Sequence, residues 1–166
     1  MAKPAVSHRY WLLKTEPEVF SFDDLLKASN QITCWEGVRN YQARNFMRDD
    51  MKVGDLVFVY HSNAEPPGIA GIAEVVREAY PDPCQWQKTS PYFDESAPKD
   101  GPTRWVMIDV KATQALPEFL SLPRLKLEKS IQNMVLLQKG SRLSVQPVQQ
   151  AEWRAICALA GIKGIG

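Results

Sequence analysis

The chain is short of the residues that most often carry catalytic or structural chemistry. Its three cysteines, Cys34, Cys84 and Cys157, lie far apart with no C-x-x-C pair, and its only histidines are His8 and His61. That scarcity excludes a disulfide framework and the usual zinc motifs, so free thiols, a reducing compartment and no metal are expected. There is no G-x-S-x-G nucleophile elbow. His61 and Ser62 cannot form a dyad on a strand, because neighbours there point to opposite faces. The terminal G-I-K-G-I-G has no helix after it to present to a phosphate and reads as a frayed tail, so no nucleotide cofactor is expected. No apolar run reaches the length of a membrane span and the first residues lack a signal-peptide core, so a soluble, cytoplasmic protein with no membrane partner is expected. An excess of either charge is missing too. The 20 basic and 19 acidic side chains leave +1, which excludes a general coat on duplex nucleic acid and confines any such contact to a local surface.

What is present centres on C-W-E-G-V-R-N-Y-Q-A-R-N, Cys34 to Asn45. This mixture of aromatics, arginines and amides is too polar for a core and too aromatic for a solvated loop, and it suits a gripping surface. Asn40 is a good N-cap for a helix from Tyr41 to about Arg48. On a helical wheel Ala43, Phe46 and Met47 share a face to bury, while Tyr41, Arg44, Asn45 and Arg48 share the other. Arg39, Arg44 and Arg48 can meet phosphate oxygens through forked hydrogen bonds. Arg44 and Arg48 are equally well read as a solvated i,i+4 pair.

The 166 residues fit one domain, expected over 10–160 between a disordered lead at 1–9 and a tail at 161–166. Tyr10 to Thr15 reads as a strand stopped by Glu16-Pro17, and Ser21 caps a short helix through Asp23, Asp24, Leu25 and Leu26. Leu56 to His61 and Ile69 to Glu78 read as a hairpin that brings His61 and Ser62 near its mouth. Gly68 and Gly71 leave room there for a backbone or ligand to approach. Tyr80 to Pro102 reads as a long ordered loop packed over the sheet. Trp105 to Ala112 is a strand, Leu116 to Lys126 carries helix-start and breaker signals, and Asn133 to Gln138 is a short helix. Leu143 to Pro147 is the last strand, and Gln149 to Ala160 is an amphipathic helix with Trp153 and Cys157 on its buried stripe. The expected fold is α+β, a mixed or antiparallel sheet curled into a small barrel with flanking helices.

Strand ends and loops then gather Trp11, Lys14, Thr15, Glu16, Trp35, Asn40, Tyr41, Tyr60, His61 and Ser62, with Trp86 or Trp105 as further members. That is the equipment of a pocket for one planar, polar ring, and flipped bases are held in this way. Trp11 and Trp105 are equally open to a core role. Trp35 is the favoured pocket wall. Cys34 is open to two readings, core filler or nucleophile. Two other functions stay open: an enzyme on nucleotides or nucleic acid with Glu16 or Glu36 as general base, and a protein-interaction module using the loop from Tyr80 to Phe93.

The motifs W-L-L-K-T-E-P (11–17), W-E-G-V-R-N-Y-Q-A-R-N (35–45), G-D-x-V-F-V-Y-H-S-N (54–63), A-E-V-V-R-E-A-Y-P-D-P (73–83), R-W-V-M-I-D-V (104–110) and R-L-S-V-Q-P-V (142–148) together resemble the EVE domain family. The resemblance covers Tyr10 to Ala160 in order. It implies a PUA-like small barrel, kinship with YTH domains, and non-catalytic recognition of a modified base in DNA or RNA. It implies that Lys14, Thr15 and Glu16 line the pocket from the first strand, Trp35 is its aromatic wall, and His61 and Ser62 line the facing strand end. A further cage tryptophan of YTH domains follows the strand corresponding to 106–110. Val110 and Lys111 stand there in this chain, so a methyl-adenine cage is expected to be incomplete.

Overall fold

The run Y-W-L-L-K-T forms strand β1, Tyr10–Thr15, whose first four residues are buried. It carries an uninterrupted apolar run because both faces of its sheet are covered. The computed structural model describes residues 8–163. After β1 come helix α1 (Phe22–Lys27), β2 (Ile32–Cys34), α2 (Tyr41–Asn45), β3 (Leu56–His61), β4 (Gly68–Pro81), β5 (Val106–Ser121), α3 (Leu122–Lys126), β6 (Val145–Val148) and α4 (Gln150–Leu159).

The sheet order is β2-β5-β4-β3-β1-β6. β1 and β3 are parallel, with Thr15 beside His61, and the other pairings are antiparallel, including the expected β3–β4 hairpin. The architecture is α+β, but the expected barrel does not close: among the described residues β2 and β6 are free edges. They are three and four residues long, too short a ladder to complete a ring. Alternate residues feed two cores. Tyr10, Leu12 and Phe58 face Trp153 and Ile156 of α4, while Trp11, Leu13, Val57 and Val59 face Phe22 and Leu25 of α1 and Ala43 and Met47 beyond β2. Trp153 stacks on Phe58 and Tyr10, at 3.9 and 4.9 Å between ring centres. A Cβ on Gly68 would meet the Leu120 carbonyl and one on Gly71 the Phe22 ring, so both glycines permit close packing within the fold.

Several boundaries differ from the expected ones. The helix signals over Leu116 to Lys126 are overridden as far as Ser121, where pairing with β4 extends β5, and α3 starts only at Leu122. Pro117 is tolerated because the register shifts between Ile69 and Gly71 on the partner strand, and a bulge spares it from the ladder. The helix begun at α2 continues through a π-helical turn, Phe46–Asp50, with Met47 buried and Arg48 exposed. Asn133 to Gln138 reduces to a 3₁₀ turn, Val135–Leu137. The loop after β4 is pinned by buried Gln85, whose amide donates to the carbonyls of Asp82 and Trp105 and accepts from the Trp105 amide. The expected tail is corrected at Ile162, which is buried. Gly161, at φ +77°, lets the Ile162 amide reach the Cys157 carbonyl at 2.8 Å and close α4. Most of the expected lead, residues 1–7, and tail residues 164–166 lie outside the described residues. No helix among the described residues is long and apolar enough to cross a membrane.

Candidate functional site

Because β1 and β3 are parallel, their ends open on the same side of the sheet. Glu16-Pro17 stops β1 in a turn in which the Val19 and Phe20 amides donate to the Glu16 carbonyl and the Thr15 hydroxyl donates to the Phe20 carbonyl at 2.7 Å. The Ser62 amide bonds to the Thr15 carbonyl and the Lys14 amide to the Ser144 carbonyl. These bonds gather Lys14, Thr15, Glu16, Phe20, Ser62 and Ser144 on one side of a cavity of about 610 Å³. The end of β2 and the loop after it, Thr33 to Val38, also line it, with Val19, Tyr92 and Arg142 completing the lining. Trp35 is held by its amide on the Ile108 carbonyl, 2.7 Å, and meets Phe20 edge-on at 6.5 Å. It is only 7% exposed and yet lines the cavity, so it is a fixed wall rather than a mobile flap.

Asp82 holds this loop in shape. Its buried carboxylate accepts from the Gly37 amide at 2.9 Å, the Cys84 amide at 2.9 Å and the Arg39 guanidinium at 3.0 Å. Gly37 sits at φ +83°, where a Cβ would lie within 2.8 Å of the Tyr92 ring, so only glycine lets that ring close the cavity. Arg39 also donates to the Tyr92 and Val38 carbonyls, and its guanidinium lies 5.7 Å from the Tyr92 ring centre and 5.4 Å from that of Trp105. Its Nη2 is buried with no hydrogen-bond partner among the described residues.

Of the residues singled out from sequence, Lys14, Thr15, Glu16, Trp35 and Ser62 come together at the cavity. The others are placed elsewhere. Tyr60 is buried in the opposite core, 5.7 Å below the Lys14 ammonium. His61 accepts a hydrogen bond at Nε2 from the Phe22 amide, 3.0 Å, and so completes the first turn of α1. Asn40 caps α2, accepting from the Ala43 amide at 3.0 Å. Tyr41 stacks on Trp105 at 4.9 Å, with the Arg44 guanidinium over its ring. Arg39 is engaged inside the fold by Asp82, and exposed Arg48 pairs with Asp49. Trp11 is core, its indole N–H on buried Asp55. The Trp86 indole bonds to the Pro98 carbonyl. Phe20, Tyr92, Arg142 and Ser144 escaped sequence reading as site residues. Only the L-S-V-Q strand signal and the aromatic loop from Tyr80 hinted at their neighbourhoods.

The cavity has both signs of charge. Burial lowers the pKa of Lys14, which forms no ion pair among the described residues and whose ammonium lies over the Tyr60 ring rather than beside Trp35. Cys34 is an exposed thiol rather than core filler. Partial burial of its sulfur, and then the charges of Glu36 and Asp109, raise its pKa, which disfavours the nucleophilic thiolate. Glu36, Asp82 and Cys84 bring ligand atoms within 4.8 Å of one another, but Asp82 is already saturated by two amides and a guanidinium, a poor setting for a cation.

Burial also lowers the His61 pKa below 6.5, and Asp23 and Asp24 only partly oppose it. The neutral ring is the acceptor for the Phe22 amide, and the unfolded chain takes up the proton more readily than the folded one. Stability from this group is therefore present above about pH 6.5 and lost as pH falls below it. Denaturation midpoints are expected to drop between about pH 7.5 and about pH 5.5, and His61→Gln, which cannot titrate, should flatten the drop. An unchanged slope in that variant would remove His61 as its source.

Residues 9–159 match the family model of the EVE domain. Human thymocyte nuclear protein 1 is 42% identical over 167 residues, covering 90% of this chain and 73% of that protein. The crystal structure of human THYN1 protein in complex with 5-methylcytosine-containing DNA superposes with a TM-score of 0.86 at 42% identity, covering 94% of this chain and 99% of that one. A hypothetical protein from Leishmania major superposes with a TM-score of 0.87 at 48% identity, covering 95% and 97%. Matched along almost its whole described length in sequence and in fold, the chain belongs to the EVE domain family.

Proposed function

We propose that this protein binds a modified base of a nucleic acid, DNA in the first instance, and releases it unaltered. The observation that carries this reading is the cavity beside Trp35. Its volume of about 610 Å³ lies within the range of small-ligand sites. Trp35 and Phe20 offer apolar faces, Arg142 a donor, Thr15, Ser62 and Ser144 hydroxyls, and Glu16 and Glu36 acceptors. A flipped base needs this combination of a stacking wall and polar partners at its edge. The DNA complex of the human relative supports DNA over RNA as the partner. Arg142 at the cavity, with Arg44 on α2 and Arg48 on the π-helical turn after it, are the cations for flanking phosphates, whereas Arg39 is withdrawn from that role by Asp82. In this reading the open sheet is a version of the PUA-like barrel, gripping its ligand at the ends of β1 and β3.

The test is binding of the purified protein to short oligonucleotides matched in sequence and differing in one base modification, with the bound strand recovered and weighed by mass spectrometry. A preference of at least about tenfold, or 1.4 kcal/mol, for one modified base over its parent is expected, with the mass unchanged. Equal affinity across the panel, or an altered mass, would overturn the proposal.

A further inference from the structure

Thymine and 5-methylcytosine carry the same methyl group, so a pocket that senses only the methyl cannot separate a rare modified base from an abundant ordinary one. They differ along the neighbouring edge, where cytosine presents an N4 amino donor and thymine an O4 acceptor. A reader of 5-methylcytosine therefore needs a fixed acceptor. We infer that Glu36 is the specificity-determining residue of the cavity, its carboxylate accepting from the 4-amino group of a cytosine-type base and repelling the 4-carbonyl of thymine. This deepens the proposal above and rests on it.

Glu36 follows the wall residue Trp35 and lines the same cavity. The Cys84 thiol donates to its Oε2 at 3.1 Å, while Oε1 accepts no hydrogen bond among the described residues. The anchoring is shared. One Asp82 oxygen holds the amide of Gly37, next to Glu36, and the other holds the amide of Cys84, so donor and acceptor are fixed from a single buried group. Burial, reinforced by the bond to Glu36, pushes the Cys84 thiol up to about 12, which keeps it an S–H donor. Glu36 forms no ion pair among the described residues, so its charge has no evident role inside the fold. Glu16, the other carboxylate at the cavity, makes no side-chain hydrogen bond among the described residues and is left unoriented.

The experiment uses the whole chain and three single-stranded oligonucleotides that differ at one position, holding 5-methylcytosine, cytosine or thymine. The natural protein is expected to prefer 5-methylcytosine over thymine by at least about tenfold, and Glu36→Gln, whose amide can donate to O4, to reduce that ratio to within about threefold of unity. Cys84→Ala should lower the ratio and Cys84→Ser restore it. Glu18→Gln, the same change of charge at an exposed residue outside the cavity lining, should leave it alone. A Glu36→Gln protein that keeps the natural ratio overturns the inference. So does a natural protein that prefers 5-methylcytosine over cytosine yet accepts thymine equally, and in both cases the modified-base reading stands. If the natural protein distinguishes none of the three, the inference falls, and a preference for another base in the wider panel is what keeps the modified-base reading.

Discussion

Replacing Asp82 by alanine is expected to cost about 3–5 kcal/mol of stability, because it leaves the part-buried Arg39 guanidinium without its counter-charge. It also strips the amides of Gly37 and Cys84 of their acceptor. For a chain of this size that corresponds to a fall in melting temperature on the order of 10 °C. The loss should reach the site as well, since the Asp82 bonds set the positions of Glu36 and Gly37, and Tyr92 rests on Gly37. Asp82→Asn keeps one acceptor oxygen but turns an amide donor toward other donors, so an intermediate loss is expected. Urea or thermal denaturation measures both. A cost below about 1 kcal/mol for Asp82→Ala would show that Arg39 does not depend on this pair.

Trp35→Ala is expected to weaken binding of the modified strand by about 5- to 150-fold, the equivalent of the roughly 1–3 kcal/mol that one stacked base contributes. Trp35 is buried and packs edge-on against Phe20, so the truncation also loosens the cavity wall. Trp35→Phe, which keeps an aromatic face and most of the packing, should recover much of the affinity. That pairing separates loss of stacking from loss of fold, provided that the melting temperatures are read alongside. A folded Trp35→Ala protein that bound the modified strand undiminished would remove the wall from the account.

The parts of the fold legible in the sequence are those governed by neighbours along the chain. Ser21 caps α1 with a capping box to Asp24, Asn40 caps α2, and the wheel through Ala43 and Met47 points inward as its spacing requires. Of the tract from Cys34 to Asn45, whose mixture of aromatics, amides and charge suits neither core nor open loop, only Cys34 to Val38 line the cavity. Legibility failed where a distant partner decides. Arg39 looks like a phosphate ligand until Asp82, 43 positions away, turns it inward. His61 looks like a pocket residue until the Phe22 amide takes its Nε2. Residues 116–121 carry helix signals, and only pairing with β4 makes them strand. The Tyr92 contribution depends on a glycine without a Cβ, far away in sequence, against which its ring can rest. Closure of the barrel depends on the lengths of two edge strands, which local propensity does not set. Ile162 is the exception that was readable, since a glycine one residue past an amphipathic helix is the ordinary signal of a cap with a hydrophobic contact beyond it.

The central claim is that the cavity between the end of β1 and the loop after β2 receives the modified base. A crystal structure of this protein with a short strand carrying a single 5-methylcytosine tests it most directly. The account predicts that base inside the cavity, stacked on Trp35 with its amino edge toward Glu36 and its phosphates on the side of Arg142. A bound strand whose modified base lies outside, with the cavity empty, would contradict it.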